Sequence, residues 1–102
     1  YYCFNRYYLL FRMNLKDLKY LIAVSETLHF GRAAQRCFVS QPTLSGQIHK
    51  LEQDLGVVLF ERTNRSVHIT PIGQQITIHA RQILEQADTI RNLGRSQTDP
   101  LT

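Results

Sequence analysis

The amino-acid sequence predicts a mainly α-helical domain, in which three helices and a small β-hairpin precede one long helix. Apolar residues recur at helical spacing in four segments, and two short apolar stretches alternate as strands do. Residues that typically start or stop helices stand at the boundaries of these segments. The 102 residues suffice for one small core and are too few for a catalytic domain beside a regulatory one.

The first two helices are short. Leu15–Thr27 is predicted to be helical, with Asn14 as its N-cap and Asp17 as the acid of a capping box. A second helix is expected over about 32–37, after a break at Gly31. Small alanines in this second helix allow another helix to approach closely.

The third helix is predicted over Gln41–Leu55, between the N-cap Ser40 and the stop residue Gly56. Phe38 and Val39 are expected to anchor the turn before it. One face of the helix is apolar and the opposite face has no large apolar residue. The apolar stripe comprises Leu44, Ile48, Leu51 and Leu55.

A hairpin and a long helix complete the predicted domain. Residues 59–61 and 67–69 are expected to pair as strands, with 63–66 at the tip of the hairpin. Thr70 and Pro71 then start a helix that should end near Leu93, before a linker-like stretch.

A seven-residue repeat of apolar residues runs along the long helix. Alternating steps of four and three residues are typical of a seam between paired helices, and they predict a homodimer. The same residues could instead pack against their own domain, although the regularity of the repeat argues against it. The predicted dimer residues are Ile76, Ala80, Ile83, Ala87 and Ile90.

Composition excludes several classes of protein. A formal net charge of +4 favours an anionic partner. Cys3 and Cys37 form no disulfide or metal framework, and Cys37 is expected to be a small buried hydrophobe. No glycine-rich phosphate loop, nucleophile–base pair or metal-ligand spacing is present, so neither an enzyme nor a cofactor is expected. The reducing cytoplasm is the expected compartment.

The polar face of the third helix indicates DNA binding. A helix anchored by one apolar face can present small polar groups to base edges in the major groove. Such a helix after a tight turn, followed by a hairpin, is the layout of a winged helix-turn-helix. Arginines in the hairpin could contact the DNA backbone or a narrow minor groove. The candidate DNA-binding residues are Gln41, Pro42, Thr43, Ser45, Gln47, His49, Arg62 and Arg65.

Two of these residues also have ordinary explanations. An exposed His49 can simply be solvated. Arg62 can serve as a salt-bridge partner of Glu61 or another acid, which is the favoured role. A protein–protein dimerisation module that binds no DNA is the alternative function, and it would explain the long helix but not the polar face of the third.

Several strings resemble the N-terminal domain of LysR-type transcriptional regulators over about 13–93. They are Leu18-Lys19-Tyr20-Leu21, His29-Phe30-Gly31-Arg32-Ala33-Ala34, Val39-Ser40-Gln41-Pro42-Thr43-Leu44-Ser45, Ile48, Leu51-Glu52, Leu55-Gly56, Leu59-Phe60-Glu61-Arg62 and Thr70-Pro71-Ile72-Gly73. The string from Ser40 to Ile48, including Gly46 where many members have arginine, is most similar to the OxyR-like, peroxide-sensing branch.

The resemblance implies a domain organisation and a mode of assembly. Residues 1–12 precede the only methionine, Met13, and for that reason are expected to be an extension of upstream or expression-derived origin. The resemblance makes 13–70 the winged helix-turn-helix and 71–93 the linker helix. Residues 94–102 would lead toward an effector domain that is not in this chain. The repeat itself fits a parallel or an antiparallel pair of helices, whereas the resemblance implies an antiparallel pair and a tetramer of the full-length protein. Because a dimer presents two recognition helices, the operator in double-stranded promoter DNA is expected to be roughly palindromic.

Overall fold

The computed structural model describes residues 13–98 and confirms the predicted mainly α-helical fold. The predictions for 1–12 and 99–102 lie outside the described residues. Within the described part of the chain, no helix combines the length and apolar character that a bilayer crossing needs. The elements in chain order are α1 (Leu15–Thr27), α2 (Phe30–Arg36), α3 (Gln41–Leu55), β1 (Phe60–Arg62), β2 (Val67–Ile69) and α4 (Pro71–Thr98).

Helix α1 begins at the predicted capping box. The backbone N–H of Asp17 donates to Oδ1 of Asn14 at 3.0 Å, and the Asn14 N–H donates back to Oδ2 of Asp17 at 3.1 Å. Two backbone donors that a helix start leaves unpaired are thereby satisfied. At the other end, Leu28 adopts a left-handed conformation with φ of 51°, which stops the helix after Thr27.

Helix α2 begins at Phe30, so the predicted break at Gly31 is wrong. His29 is the N-cap, and its Nδ1 accepts a hydrogen bond of 2.9 Å from the backbone N–H of Arg32. A Cβ on residue 31 would lie 3.0 Å from Cε1 of His29. Gly31 therefore belongs to the helix, where it leaves room for the imidazole that caps the first turn.

The turn between α2 and α3 is closed by backbone hydrogen bonds and contains a phenylalanine whose side chain is exposed. The Val39 N–H donates to the carbonyl of Ala34 at 3.0 Å, and Phe38 takes a φ of 58°. This pattern, with a left-handed residue after the last helical turn, ends many helices. The side chain of Phe38 is 94% exposed, which corrects the expectation that it anchors the turn in the core.

Helix α3 has the predicted bounds and lies with its apolar stripe in the core. Ser40 caps its start, and Gly56, with φ of 72°, follows its last residue. Glycine is favoured there because the left-handed conformation disfavours residues with a Cβ. Of the predicted stripe, Leu44, Ile48 and Leu51 are fully buried, whereas Leu55 is half-buried at the edge of the core.

The two strands form the predicted antiparallel hairpin, with β1 starting one residue later than expected. Phe60 pairs with Ile69 and Arg62 with Val67. The tip is closed by the Thr63 N–H, which donates to the carbonyl of Ser66 at 2.8 Å. This hairpin is called the wing below and comprises residues 60–69.

Helix α4 starts at the predicted cap and runs further than predicted. The Gly73 N–H donates to Oγ1 of Thr70 at 3.0 Å, which caps the first turn. The helix continues to Thr98, so the predicted end near Leu93 is wrong. Gly94 does not take the left-handed conformation that would stop a helix, and a Cβ there would meet no atom within 4 Å.

Candidate nucleic-acid interface

The candidate interface is centred on the outer face of α3. The side chains of Leu44, Ile48 and Leu51 hold the opposite face in the core with exposures of 0–1%. The outward direction of the remaining side chains is therefore fixed by the 3.6-residue repeat of the helix. The exposed residues of this helix before its last turn are Gln41, Pro42, Thr43, Gly46, His49 and Lys50.

The predicted contact residues on α3 differ in how far their side chains are exposed. Gln41, Pro42, Thr43 and His49 are exposed, as expected for residues that could meet DNA. Ser45 and Gln47 are half-buried, a position that the sequence did not indicate. The structure thus brings four predicted residues onto the open face and leaves these two less accessible.

The first turn of α3 is held by hydroxyl groups. The Thr43 N–H donates to Oγ of Ser40 at 3.3 Å, and the Ser40 hydroxyl donates to Oγ1 of Thr43 at 2.8 Å. Because Thr43 accepts in the second bond, its own hydroxyl proton remains available to an external acceptor. The cap therefore also orients a candidate contact residue.

Arg65 lies at the exposed tip of the wing. Its backbone N–H donates to Oγ1 of Thr63 at 3.4 Å, and the Ser66 N–H donates to the same oxygen at 3.1 Å. The tip is thus organised by one hydroxyl group. Within residues 13–98, the Arg65 guanidinium forms no ion pair, so its charge is available to an anion.

Arg62 lies on the wing against an aromatic ring. Its guanidinium carbon is 3.9 Å from the centroid of the Phe30 ring, within the range of a cation–π contact. The Phe30 ring in turn meets Phe60 edge-to-face, with centroids 6.2 Å apart. The favoured structural role of Arg62 is therefore supported, but its partner is Phe30 rather than the acid of Glu61.

Glu52 connects α3 to the wing, a role that the sequence did not reveal. Its Oε2 accepts hydrogen bonds from the N–H groups of Leu59 at 2.7 Å and of Phe60 at 3.2 Å. A carboxylate shared by two backbone donors fixes the approach to β1 relative to α3. No local pattern predicts it, because the partners are seven and eight residues away.

The predicted dimer seam is divided between the domain core and solvent. Ala80 is 1% exposed and Ile76 packs against the core, so their own domain covers them. The prediction that Ala80 contacts a second copy is therefore wrong for this conformation. Further along α4, Ala87 is half-buried, whereas Ile83 and Ile90 are 41% and 70% exposed.

Cys37 and the histidines belong to no metal-binding cluster in the described part of the chain. Cys37 is half-buried rather than buried, and burial raises the pKa of its thiol despite the nearby charges of Arg36 and Lys19. Among residues 13–98, no group of three or more histidine, cysteine or acidic side chains is placed to share a metal ion.

Comparisons with known proteins agree with this geometry. Residues 15–74 match the family model described as "Bacterial regulatory helix-turn-helix protein, lysR family". The chain is 50% identical over 93 residues to the hydrogen peroxide-inducible genes activator of Haemophilus influenzae, covering 87% of this chain and 31% of that protein. It is 47% identical over 90 residues to the DNA-binding transcriptional dual regulator OxyR of Escherichia coli, covering 88% and 30%.

The chain thus spans about a third of the length of these relatives, which are transcriptional regulators and not enzymes. Solved structures are also similar. A full-length OxyR variant from Pseudomonas aeruginosa superposes with a TM-score of 0.84 at 46% identity, over 89% of this chain and 31% of that one. The CbnR DNA-binding domain in complex with DNA gives 0.80 at 41% identity, over 85% and 100%. The chain belongs to the lysR family of bacterial regulatory helix-turn-helix proteins, of which it contains the DNA-binding domain.

Proposed function

We propose that this domain recognises a specific double-stranded DNA sequence by inserting α3 into the major groove. The observation that carries the proposal is the division of α3 into a buried apolar face and an exposed polar face. Because the apolar face is fixed in the core, the polar groups are held rigidly enough to select base edges. The similarity to CbnR, whose DNA-binding domain is solved with DNA, supports the same use here.

The residues of α3 would divide the work between phosphate and bases. Gln41 lies in the first turn, where unpaired backbone N–H groups suit a phosphate. Pro42 offers an apolar surface to a thymine methyl group, and Thr43 and His49 offer hydrogen-bonding groups. The half-buried Ser45 and Gln47 would contact bases only where the DNA comes close to the helix.

The wing would add contacts to the DNA backbone or the minor groove. Arg65 is the stronger candidate, because its charge is unpaired within residues 13–98 and it stands at the exposed tip. Arg62 would contribute less, since its guanidinium already lies over the Phe30 ring. These contacts position the domain, whereas the contacts of α3 specify the sequence.

We extend the proposal to a homodimer formed through α4. Ile83, Ala87 and Ile90 line an apolar groove of about 480 Å³ that also includes Leu15 of α1. A second copy would cover this groove and would present two recognition helices to a roughly palindromic operator. In a full-length protein, further contacts would assemble dimers into tetramers, and the complex would reside on cytoplasmic DNA.

One relative is named as a hydrogen peroxide-inducible genes activator and another as the transcriptional dual regulator OxyR. This chain covers only about 30% of the length of either protein. We therefore assign to it the DNA-binding step alone.

A titration at two salt concentrations tests the proposal. The probe is a duplex enriched by this 102-residue chain from a pool of random 40-base-pair sequences. The affinity should fall steeply with salt, with a slope of about −0.9 per phosphate contacted, and should exceed that for a random duplex by at least about 1,000-fold. If the chain dimerises but enriches no DNA sequence, the proposal is wrong and the alternative of a protein–protein dimerisation module holds.

Two variants separate base recognition from backbone contacts. Ser45→Ala should lose about 1–3 kcal/mol on the enriched duplex and little on a random one. Arg65→Ala should weaken binding to both duplexes alike and should reduce the salt slope by about one. Equal losses on both duplexes for Ser45→Ala would contradict its assignment to a base.

A further inference from the structure

Gly46 interrupts the exposed face of α3. It is the sixth residue of a helix of 15, well inside the element. Glycine is the least favourable residue in a helix interior after proline, because it loses the most backbone freedom on folding. Helix stability therefore does not explain why residue 46 is glycine.

Three other glycines have structural reasons that Gly46 lacks. Gly56 has a positive φ of 72°, a Cβ on Gly73 would lie 2.5 Å from the carbonyl oxygen of Leu59, and one on Gly31 would lie 3.0 Å from His29. A Cβ on residue 46 would meet no atom within 4 Å, and its φ is not positive. Gly94 in α4 is similarly open. Neither packing nor backbone conformation within this domain therefore accounts for Gly46.

The surroundings of Gly46 suggest what does account for it. Residues three and four positions away share a helix face, and here these are Pro42, Thr43, His49 and Lys50, all exposed. Gly46 is thus a gap in a row of side chains that faces outward. In such a gap another molecule can approach the helix backbone itself, which is a recognised use of glycine.

We propose that Gly46 is a specificity-determining residue that admits the methyl group of one thymine against the backbone of α3. This inference rests on the proposed DNA-binding function and deepens it. The thymine methyl is the apolar group that projects into the major groove. The ring of Pro42, one turn earlier on the same face, supplies an apolar wall beside the gap. A Cβ at residue 46 would occupy the space of that methyl group.

The experiment pairs a side chain added to the protein with a methyl group removed from the DNA. The 102-residue chain first enriches a duplex from a random pool. Gly46→Ala and Gly46→Ser are then titrated against this duplex, against a random duplex, and against versions in which single thymines are replaced by deoxyuridine. Thr89→Ala, a substitution on an exposed position of α4 that also favours helix, is the matched control.

Gly46→Ala should weaken binding to the enriched duplex by about 10-fold or more, and binding to the random duplex by less than about 2-fold. When deoxyuridine replaces thymine at one position per half-site, the affinity of Gly46→Ala should lie within about 3-fold of the affinity of the wild type for the same DNA. Thermal unfolding should show that Gly46→Ala is folded and no less stable than the wild type, because alanine favours the helix. Thr89→Ala should leave both affinities unchanged.

The outcomes separate this proposal from the function on which it rests. If the wild type enriches no sequence, DNA recognition fails and the thymine contact fails with it. If the wild type enriches a sequence that Gly46→Ala binds equally well, only the role of Gly46 is overturned. A loss that no deoxyuridine relieves, or an equal loss on random DNA, would likewise overturn it while leaving DNA binding intact.

Discussion

Helices α3 and α4 each bury one face, yet they present opposite chemistry to solvent. The outer face of α3 carries small and polar groups around Gly46, whereas the outer face of α4 exposes Ile83, Ile90 and Leu93 by 41%, 70% and 62%. Exposed apolar residues in a row normally belong to an interface with another protein surface. The difference teaches that burial alone does not identify a functional face, since the chemistry of the exposed residues indicates the kind of partner.

The largest expected effect concerns the apolar face of α4. Ile83→Asp should lower the free energy of dissociation of the proposed dimer by about 3 kcal/mol or more, because each dimer loses two isoleucines and gains two charges. Sedimentation over a concentration series measures this. Ile78→Asp is the matched control, since Ile78 is 57% exposed on the same helix but outside the repeat. Equal behaviour of the two variants would contradict the interface.

The second prediction tests where along α4 the heptad residues change from buried in the core to exposed to solvent. Ala80→Leu should lower the free energy of unfolding by about 1–3 kcal/mol, because three added carbon atoms must fit into a packed core. Ala87→Leu, one heptad later and half-buried, should change the stability of the monomer by less than about 0.5 kcal/mol. Urea unfolding at low concentration distinguishes them. An Ala80→Leu variant as stable as the wild type would contradict the burial of Ala80 in the core.

The third prediction tests how the polar face of α3 is held. Ser40→Ala should cost about 1 kcal/mol of unfolding free energy, because the N–H of Thr43 loses its acceptor. DNA affinity should fall as well, since Thr43 also loses the hydroxyl that orients its side chain. Ser96→Ala removes a hydroxyl from α4 and serves as the control. No change in either measurement would show that the cap contributes nothing to the interface.

The smallest effect distinguishes the two arginines of the wing. Arg62→Met should lower the unfolding free energy by about 0.5–1 kcal/mol through loss of the contact with Phe30. Arg65→Met should leave stability within about 0.5 kcal/mol of the wild type and should reduce the salt dependence of DNA binding. The reverse pattern would exchange the roles assigned to the two residues.

The sequence predicted best where a structure is decided by neighbouring residues. Asn14 with Asp17, Ser40 and Thr70 each form a local cap, so the starts of α1, α3 and α4 were correctly placed. It predicted less well where a glycine has more than one use. Gly31 and Gly94 were interpreted as breaks, whereas both lie inside helices.

Contacts between distant residues account for most of what the sequence missed. The dimer interface predicted from the heptad repeat stays a prediction, and the repeat could not show that the domain itself covers Ala80 at one end of that face. Glu52 and Arg62 have partners on other elements, with no local spacing that reveals them. The polar face of α3 was predictable because the apolar stripe opposite to it fixes its direction.

The hydrogen bond from the Thr70 N–H to the carbonyl of Leu59, 2.9 Å long, joins the start of α4 to the residue that precedes the wing. With 28 residues, α4 is about 42 Å long. Tilting it by ten degrees about its first turn would move its far end by about 7 Å. Because only Thr70 lies between β2 and α4, a force that redirects the far end of α4 would also act on the wing and on the proposed DNA-contact surface.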